Sequence, residues 1–220
     1  MAELTNRAAV EANIARVLAR LGAKQRKEME KRLGNPPDIR KLTDGWWKDK
    51  EREIQDAALV LLLLPFEQSA IQHGLDSAAA KESALTFAEK RANELATGFT
   101  KNSRDIMRTA ATSWTPNETI PVSQLRDTTL QVFGPKRMSN VAVTETTTAQ
   151  HQGSEEAIKA TVGLSEDDTW FTEEDSAVCP TCRPLHGSKR SRWHRFFPVG
   201  PPAHVNCRCW ISYRPQPSGE

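Results

Sequence analysis

The sequence predicts an α+β protein, predominantly α: a helical N-terminal arm or bundle, then a helical domain ending in a small β/knuckle region with a Cys/His metal-like site. Three observations predict it. Apolar residues recur at helical spacing up to Gly163. Beyond Gly163 that periodicity stops, and prolines, cysteines, aromatics and charges crowd together. All four cysteines fall in this last stretch, as Cys179-x-x-Cys182 and Cys207-x-Cys209. The expected divisions are a helical arm suited to partner binding over 1–75, a helical part over 76–163, the Cys/His knuckle with short strands over 164–213, and a flexible tail over 214–220.

Residues 4–33 predict one long helix, with Val10, Ile14, Val17, Leu18 and Leu21 on one face. Lys24–Arg32 is almost wholly polar, so its second half is expected to be a solvated or partner-facing extension until Gly34-Asn-Pro-Pro stops it. Asp44 can cap a second helix that opens with Trp46-Trp47 and runs towards Leu64, where Pro65 should kink or end it. Apolar residues surround this helix on every side, which calls for burial or an interface. Asp76 can cap a third helix, with Leu85, Phe87, Ala88, Ala92 and Leu95 as its apolar residues and Gly98 closing it. A shorter helix is expected over Ser103–Ser113, then a loop to Pro121. Further helices are expected over Val122–Phe133 and over Arg137–Gln152, the latter ended by Gly153, and one more from Ser154 to Gly163. Thr169–Thr172 can form a short strand with Arg208–Tyr213 as its partner.

At 220 residues the chain can bury a real core. Its 38 % hydrophobic content and mean hydropathy of −0.58 favour an extended or partner-dependent shape. A formal net charge of +2 gives no bulk signal for nucleic-acid binding. Met1-Ala-Glu-Leu-Thr begins a polar stretch with no apolar signal region. The run Ala57–Phe66 is shorter than the roughly 20 residues that span a bilayer. No membrane contact and no small-molecule substrate are expected, and the chain reads as one made in a cytoplasm.

In a reducing compartment, clustered cysteines favour metal or thiol chemistry over disulfides. Cys179-x-x-Cys182 lets two thiolates turn to one ion, and Cys207-x-Cys209 puts two sulfurs on one face of an extended segment. Cys179, Cys182, Cys207 and Cys209 are the candidate ligands, with His204 and His186 as alternates, because both histidines lie within chelating distance along the chain. Four protein ligands would close a zinc site and make it structural. Reduced structural thiols, or disulfides formed after release from a cell, are the bland alternatives. A cytidine-deaminase reading fails because the His-x-Glu and Pro-Cys-x-x-Cys pattern is absent. His186, His194, His204 and Asn206 keep a metal-dependent nuclease of His-Asn-His type as an alternative, although no paired His-His opens such a motif. A zinc-stabilised nucleic-acid-binding module is a third reading.

Lys189, Arg190, Arg192 and Arg195, interleaved with Trp193, Phe196 and Phe197, could meet phosphates with aromatic support. Glu166-Asp-Asp168 and Glu173-Glu-Asp175 could instead neutralise them internally. Glu145, inside Thr144-Glu-Thr-Thr-Thr148, is expected on a solvated helix face.

Asp175-Ser-Ala-Val-Cys-Pro-Thr-Cys-Arg-Pro-Leu-His-Gly187 and Pro201-Pro-Ala-His-Val-Asn-Cys-Arg-Cys209 together resemble the C-terminal signature of phage Mu F-like head-morphogenesis proteins. Asn140-Val-Ala-Val-Thr-Glu-Thr-Thr-Thr-Ala149 resembles that family's threonine–glutamate helix, and the resemblance covers roughly Ala88–Tyr213. It implies a minor capsid protein of a tailed bacteriophage: non-enzymatic, in low copy, associated with the portal and other head proteins, and located in the virion after assembly in the host cytoplasm. Some members of that family are linked to DNA packaging or delivery, which makes packaged DNA a further expected contact; the cysteine spacing, independently of the resemblance, makes a structural Zn2+ the expected cofactor. The signature positions are Asp175, Gly187, Pro202 and His204 together with the four cysteines. This chain departs from the pattern at Val143 and Thr147, where many relatives carry arginine, and at His186, where an acidic residue is common.

Overall fold

A computed structural model of the chain describes residues 6–176 and 178–214. The helices are α1 (Arg7–Leu33), α2 (Asp44–Gln72), α3 (Ser77–Ala111), α4 (Val122–Phe133), α5 (Pro135–Thr161) and the short α6 (Arg190–Trp193). The strands are β1 (Thr169–Phe171), β2 (Ser188–Lys189) and β3 (Trp210–Ser212), with 3-10 turns at Ile39–Lys41 and Arg183–Leu185. The protein is therefore α+β and predominantly α. The expected tail beyond Arg214 lies outside the described residues.

Three expected helix breaks do not occur. α2 continues through Pro65 to Gln72. Proline removes one backbone donor, but Leu62, Phe66 and Ala70 are buried around it, so packing carries the helix across. Gly98 sits within α3, which joins the third and fourth expected helices into one of 35 residues. Gly153 sits within α5, where a Cβ would strike the Phe66 backbone carbonyl. Its role is close helix approach rather than termination. The buried row of α3 also differs from expectation. Ala80, Ala84, Ala88, Ala92 and Ala96 recur every four residues and are at most 1 % exposed, whereas Leu85 is 48 % exposed. Small side chains at that spacing let backbones pack closely.

The chain forms two compact units. One comprises Asn13–Val60 and Glu89–Ser139. Here the second half of α1 is not a solvated extension: Gln25, Met29 and Leu33 are fully buried. Gln25 donates to the Lys50 carbonyl oxygen at 3.3 Å. Lys50, itself buried, pairs with Glu28 and with Glu53 at 2.6 Å. Burial works against its charge, but those two carboxylates hold its pKa above the ordinary lysine value. Arg137 lies 3.8 Å over the Phe99 ring and donates to the Val132 carbonyl at 2.8 Å and to Ser103 Oγ at 3.0 Å. Burial lowers its pKa to about 10.

The other unit comprises the described parts of Met1–Ala12, Leu61–Ala88 and Asn140–Glu220. Its sheet has the order β2-β1-β3, antiparallel throughout, with Trp170 opposite Ser188 and Ile211. Trp170 and Trp193 meet edge to face at 5.6 Å, and the Trp193 indole donates to the Asp168 carbonyl at 3.0 Å. Ile158, Leu185, Ile211 and Tyr213 complete a core that also contains Cys182, Cys207 and Cys209. Beside it, the Tyr213 hydroxyl donates to His151 Nδ1 at 3.2 Å, and His151 Nε2 donates to the Val199 carbonyl at 3.0 Å. Gly200 passes over this imidazole at φ +71°, where a Cβ would collide with the ring.

Among the described residues, α2 is the one helix long and apolar enough to cross a membrane by length and composition. Its Ile54, Ala58, Leu62, Phe66 and Ala70 are buried at four-residue spacing, the pattern of a packed core helix.

The two mid-helix glycines should respond in opposite directions. Gly153→Ala should cost roughly 1–3 kcal/mol through overpacking. Gly98→Ala, with nothing within 4 Å of the new methyl, should add about 0.5–1 kcal/mol. Urea denaturation of both variants checks this.

His151 makes stability pH-dependent. Burial lowers its pKa from 6.5 to about 4, so the folded state refuses a proton that the unfolded chain accepts. The contribution is complete above pH 6.5 and is lost as pH falls towards 4, about 3 kcal/mol in all. Burial lowers the pKa of His73 too, which acts in the same direction. Metal-free His151→Gln should show a flatter fall in unfolding free energy over this window than metal-free wild type.

Candidate metal centre

The segment after Gly163 has little regular structure, and turns aim its donors. Cys182 N–H donates to the Cys179 carbonyl at 3.2 Å and faces Cys179 Sγ at 3.3 Å, so the Cys179–Cys182 turn closes on itself. This is the backbone-to-sulfur bonding of a metal knuckle. Asn206 adopts φ +65°, a conformation asparagine tolerates better than most residues, and Cys207 N–H returns to the His204 carbonyl at 3.2 Å. The second turn thereby points His204 and Cys207 back at the first.

Two donor groups result, with Cys182 common to both. Cys179, Cys182 and His204 form one; Cys182, Cys207 and Cys209 form the other, and the donor atoms within each lie within 4.8 Å of one another. His204 Nε2 is 2.9 Å from Cys179 Sγ and 3.0 Å from Cys182 Sγ. Cys182 and Cys207 sulfurs are 3.8 Å apart. A tetrahedral zinc sets two sulfurs about 3.8 Å apart, and a sulfur and an imidazole nitrogen about 3.6 Å apart. The Cys182–Cys207 spacing thus fits the ion, and the His204–sulfur separations would need to lengthen by about 0.6–0.7 Å. His204 Nδ1 donates to the Val205 carbonyl at 2.7 Å, which turns Nε2 towards the sulfurs and fixes the tautomer a ligand needs. These Cys/His groups could bind a metal ion.

The electrostatics follow from crowding. Cys207 receives the Cys182 S–H and its pKa falls to about 2, while the same bond raises that of Cys182. Cys209 is lowered by Cys182, but the Cys207 thiolate and burial outweigh that and push it up to about 12. Burial raises the Cys179 thiol, yet the Cys182 backbone N–H and the His204 imidazole bring it below its ordinary value. Burial opposes protonation of His204, but its bond to the Val205 carbonyl and the nearby thiolates raise its pKa. Without a cation the cluster retains protons, and a cation would displace them.

Hydroxyls on α5 hold the second turn from behind. Thr144 Oγ1 accepts from Asn206 N–H at 2.8 Å, and Thr147 Oγ1 donates to the Cys207 carbonyl at 2.6 Å. Threonine is a mediocre helix former, so a run of it in a helix was the one sequence signal for this role. Glu145, expected on a solvated face, is 4 % exposed.

The remaining site residues lie elsewhere. His186 is not among the sulfurs: its Nδ1 meets Thr172 Oγ1 at 3.0 Å and its Nε2 lies 3.5 Å from Glu174. Lys189 pairs with Asp167 at 2.6 Å. Arg190 is turned inward, 13 % exposed, 5.1 Å over the Trp193 ring and 3.8 Å from Glu155. It does not present its charge outward as a phosphate contact requires. Arg192 and Arg195 are exposed, as is Phe196. Asp175 accepts from Arg208 at 2.6 Å, and Gly187, at φ +73°, donates its N–H to the Trp170 carbonyl at 2.8 Å. Pro202 precedes the His204 turn in a cis Pro201–Pro202 linkage.

A region built this way, with a threonine helix backing a Cys/His double turn, is matched by a known phage family. Residues 117–212 match the family described as phage Mu protein F like protein, so this part of the chain is similar to that family. No curated protein and no solved structure matches the chain. The match suggests a role in bacteriophage head morphogenesis.

Proposed function

We propose that the protein is a non-enzymatic minor component of the phage head that engages the portal during assembly, and that one structural Zn2+ ties its C-terminal region together. The observation that carries the metal reading is the sharing of Cys182 between the two donor groups. Cys182, Cys207 and two of Cys179, His204 and Cys209 would supply four ligands, which leaves no position for a reacting water. The ion would neutralise thiolates that otherwise crowd one another inside an apolar cluster. Structural zinc contributes on the order of 10 kcal/mol in small modules, enough for a region with three short strands and one short helix.

The family match over residues 117–212 supports the head-assembly reading. Portal and other head proteins are the proposed partners, with DNA contacted through Arg192 and Arg195 beside Phe196. Lys189 and Arg190 contribute less to such a surface, since Asp167 and Glu155 already engage them. The His-Asn-His nuclease reading has weaker support, because His186 is turned to Thr172 and Glu174.

Metal analysis of freshly purified protein should find about one zinc per chain, and Cys182→Ser should lose it. In that variant, limited proteolysis should cut after Gly163 while the helices before it persist. A variant region as resistant as wild type would refute the staple. For assembly, the purified protein should co-migrate with purified portal rings in size-exclusion chromatography. Separate elution at micromolar concentrations would refute portal engagement.

A further inference from the structure

We infer that Arg7, at the start of α1, is a positioning residue for the metal centre: its guanidinium clamps the main chain that carries Cys207. The inference rests on the zinc reading above. Arg7 is distant in sequence from every candidate ligand, and nothing in its local sequence marks it. Its side chain is only 4 % exposed. A buried guanidinium is costly unless its donors are satisfied in fixed directions. Three of its donor groups have acceptors in fixed directions. Nε donates to Glu11 at 2.8 Å, which balances the charge. Nη2 donates to Thr147 Oγ1 at 2.6 Å. Nη1 donates to the Arg208 carbonyl at 3.1 Å.

The last two bonds converge on one stretch of main chain. Thr147 Oγ1, having accepted from Arg7, must turn its own proton towards the Cys207 carbonyl, 2.6 Å away. Arg7 therefore grips the Arg208 carbonyl directly and the Cys207 carbonyl through the threonine. The two gripped carbonyls belong to Cys207 and to the residue between Cys207 and Cys209. The planar fork of arginine suits this double grip, and an ammonium, a single point of charge, does not. Groups that orient ligands from behind typically alter metal affinity by about 10–100-fold when removed. The clamp thus keeps the Cys207 turn from relaxing away from Cys182 when the ion leaves, which slows metal escape.

The test uses the full-length zinc-loaded protein and a chromogenic chelator. Arg7→Lys keeps the charge beside Glu11 but loses the fork, and should release zinc about 10-fold faster than wild type. Thr147→Val should accelerate release similarly. Glu11→Gln, which leaves the fork in place, should release it at nearly the wild-type rate. Hydrogen exchange in Arg7→Lys should quicken at the amides of residues 206–209 and remain unchanged in α3. Wild-type protein that binds no metal overturns the zinc reading, and this inference with it. Metal-bound wild type with equal release from Arg7→Lys overturns the clamp alone. Release from Glu11→Gln as fast as from Arg7→Lys also overturns the clamp, since charge balance would then explain the effect.

Discussion

The structure after Gly163 depends on how the Cys182 sulfur is satisfied. It lies in an apolar cluster with Trp170, Trp193 and Ile211, yet it is within reach of an imidazole and three further sulfurs. Sulfur, a weak hydrogen-bonding group, gains little from water and much from a cation. Strands of three, two and three residues cannot hold such a region by their ladders alone. The tryptophans supply apolar burial, and the donors supply a point at which distant turns must meet. In the zinc-bound form proposed here, that point becomes a covalent-like junction between two turns about two dozen residues apart.

The helical part follows a different rule. Its long helices are sustained by burial rather than by local signals, which is why Pro65, Gly98 and Gly153 do not interrupt them. The buried alanine row of α3 and the contact of Gly153 with the Phe66 carbonyl place small residues on helix faces that also bury large ones such as Leu62 and Phe66.

Much of this was legible in the amino-acid order. Helical periodicity marked the long helices, and Thr169–Phe171 opposite Trp210–Ser212 was readable from short β-prone runs. The cysteine spacing named the sulfurs that the structure brings together, and His204 was visible as an alternate donor. The rest was hidden for physical reasons. A glycine that ends a helix and one that lets a neighbour approach look alike in sequence. The polar second half of α1 read as solvated because its partners, Lys50 and Glu53, belong to another helix. His186 had a plausible spacing, but the direction of its ring depends on Thr172, which no spacing rule contains. Arg7 was invisible because its bonds are to carbonyl and hydroxyl oxygens far along the chain.

The grips on the Cys207 turn are made to peptide groups: Thr144 to an amide, Thr147 and Arg7 to carbonyls. Such bonds are indifferent to side-chain identity at the positions they hold. Between the left-handed glycines Gly187 and Gly200, by contrast, Arg192, Arg195, Phe196 and Val199 face outward. The scaffold and the outward lettering are therefore separable. A lineage could rewrite the exposed stretch to suit a new neighbour while the frame beneath it stays unaltered.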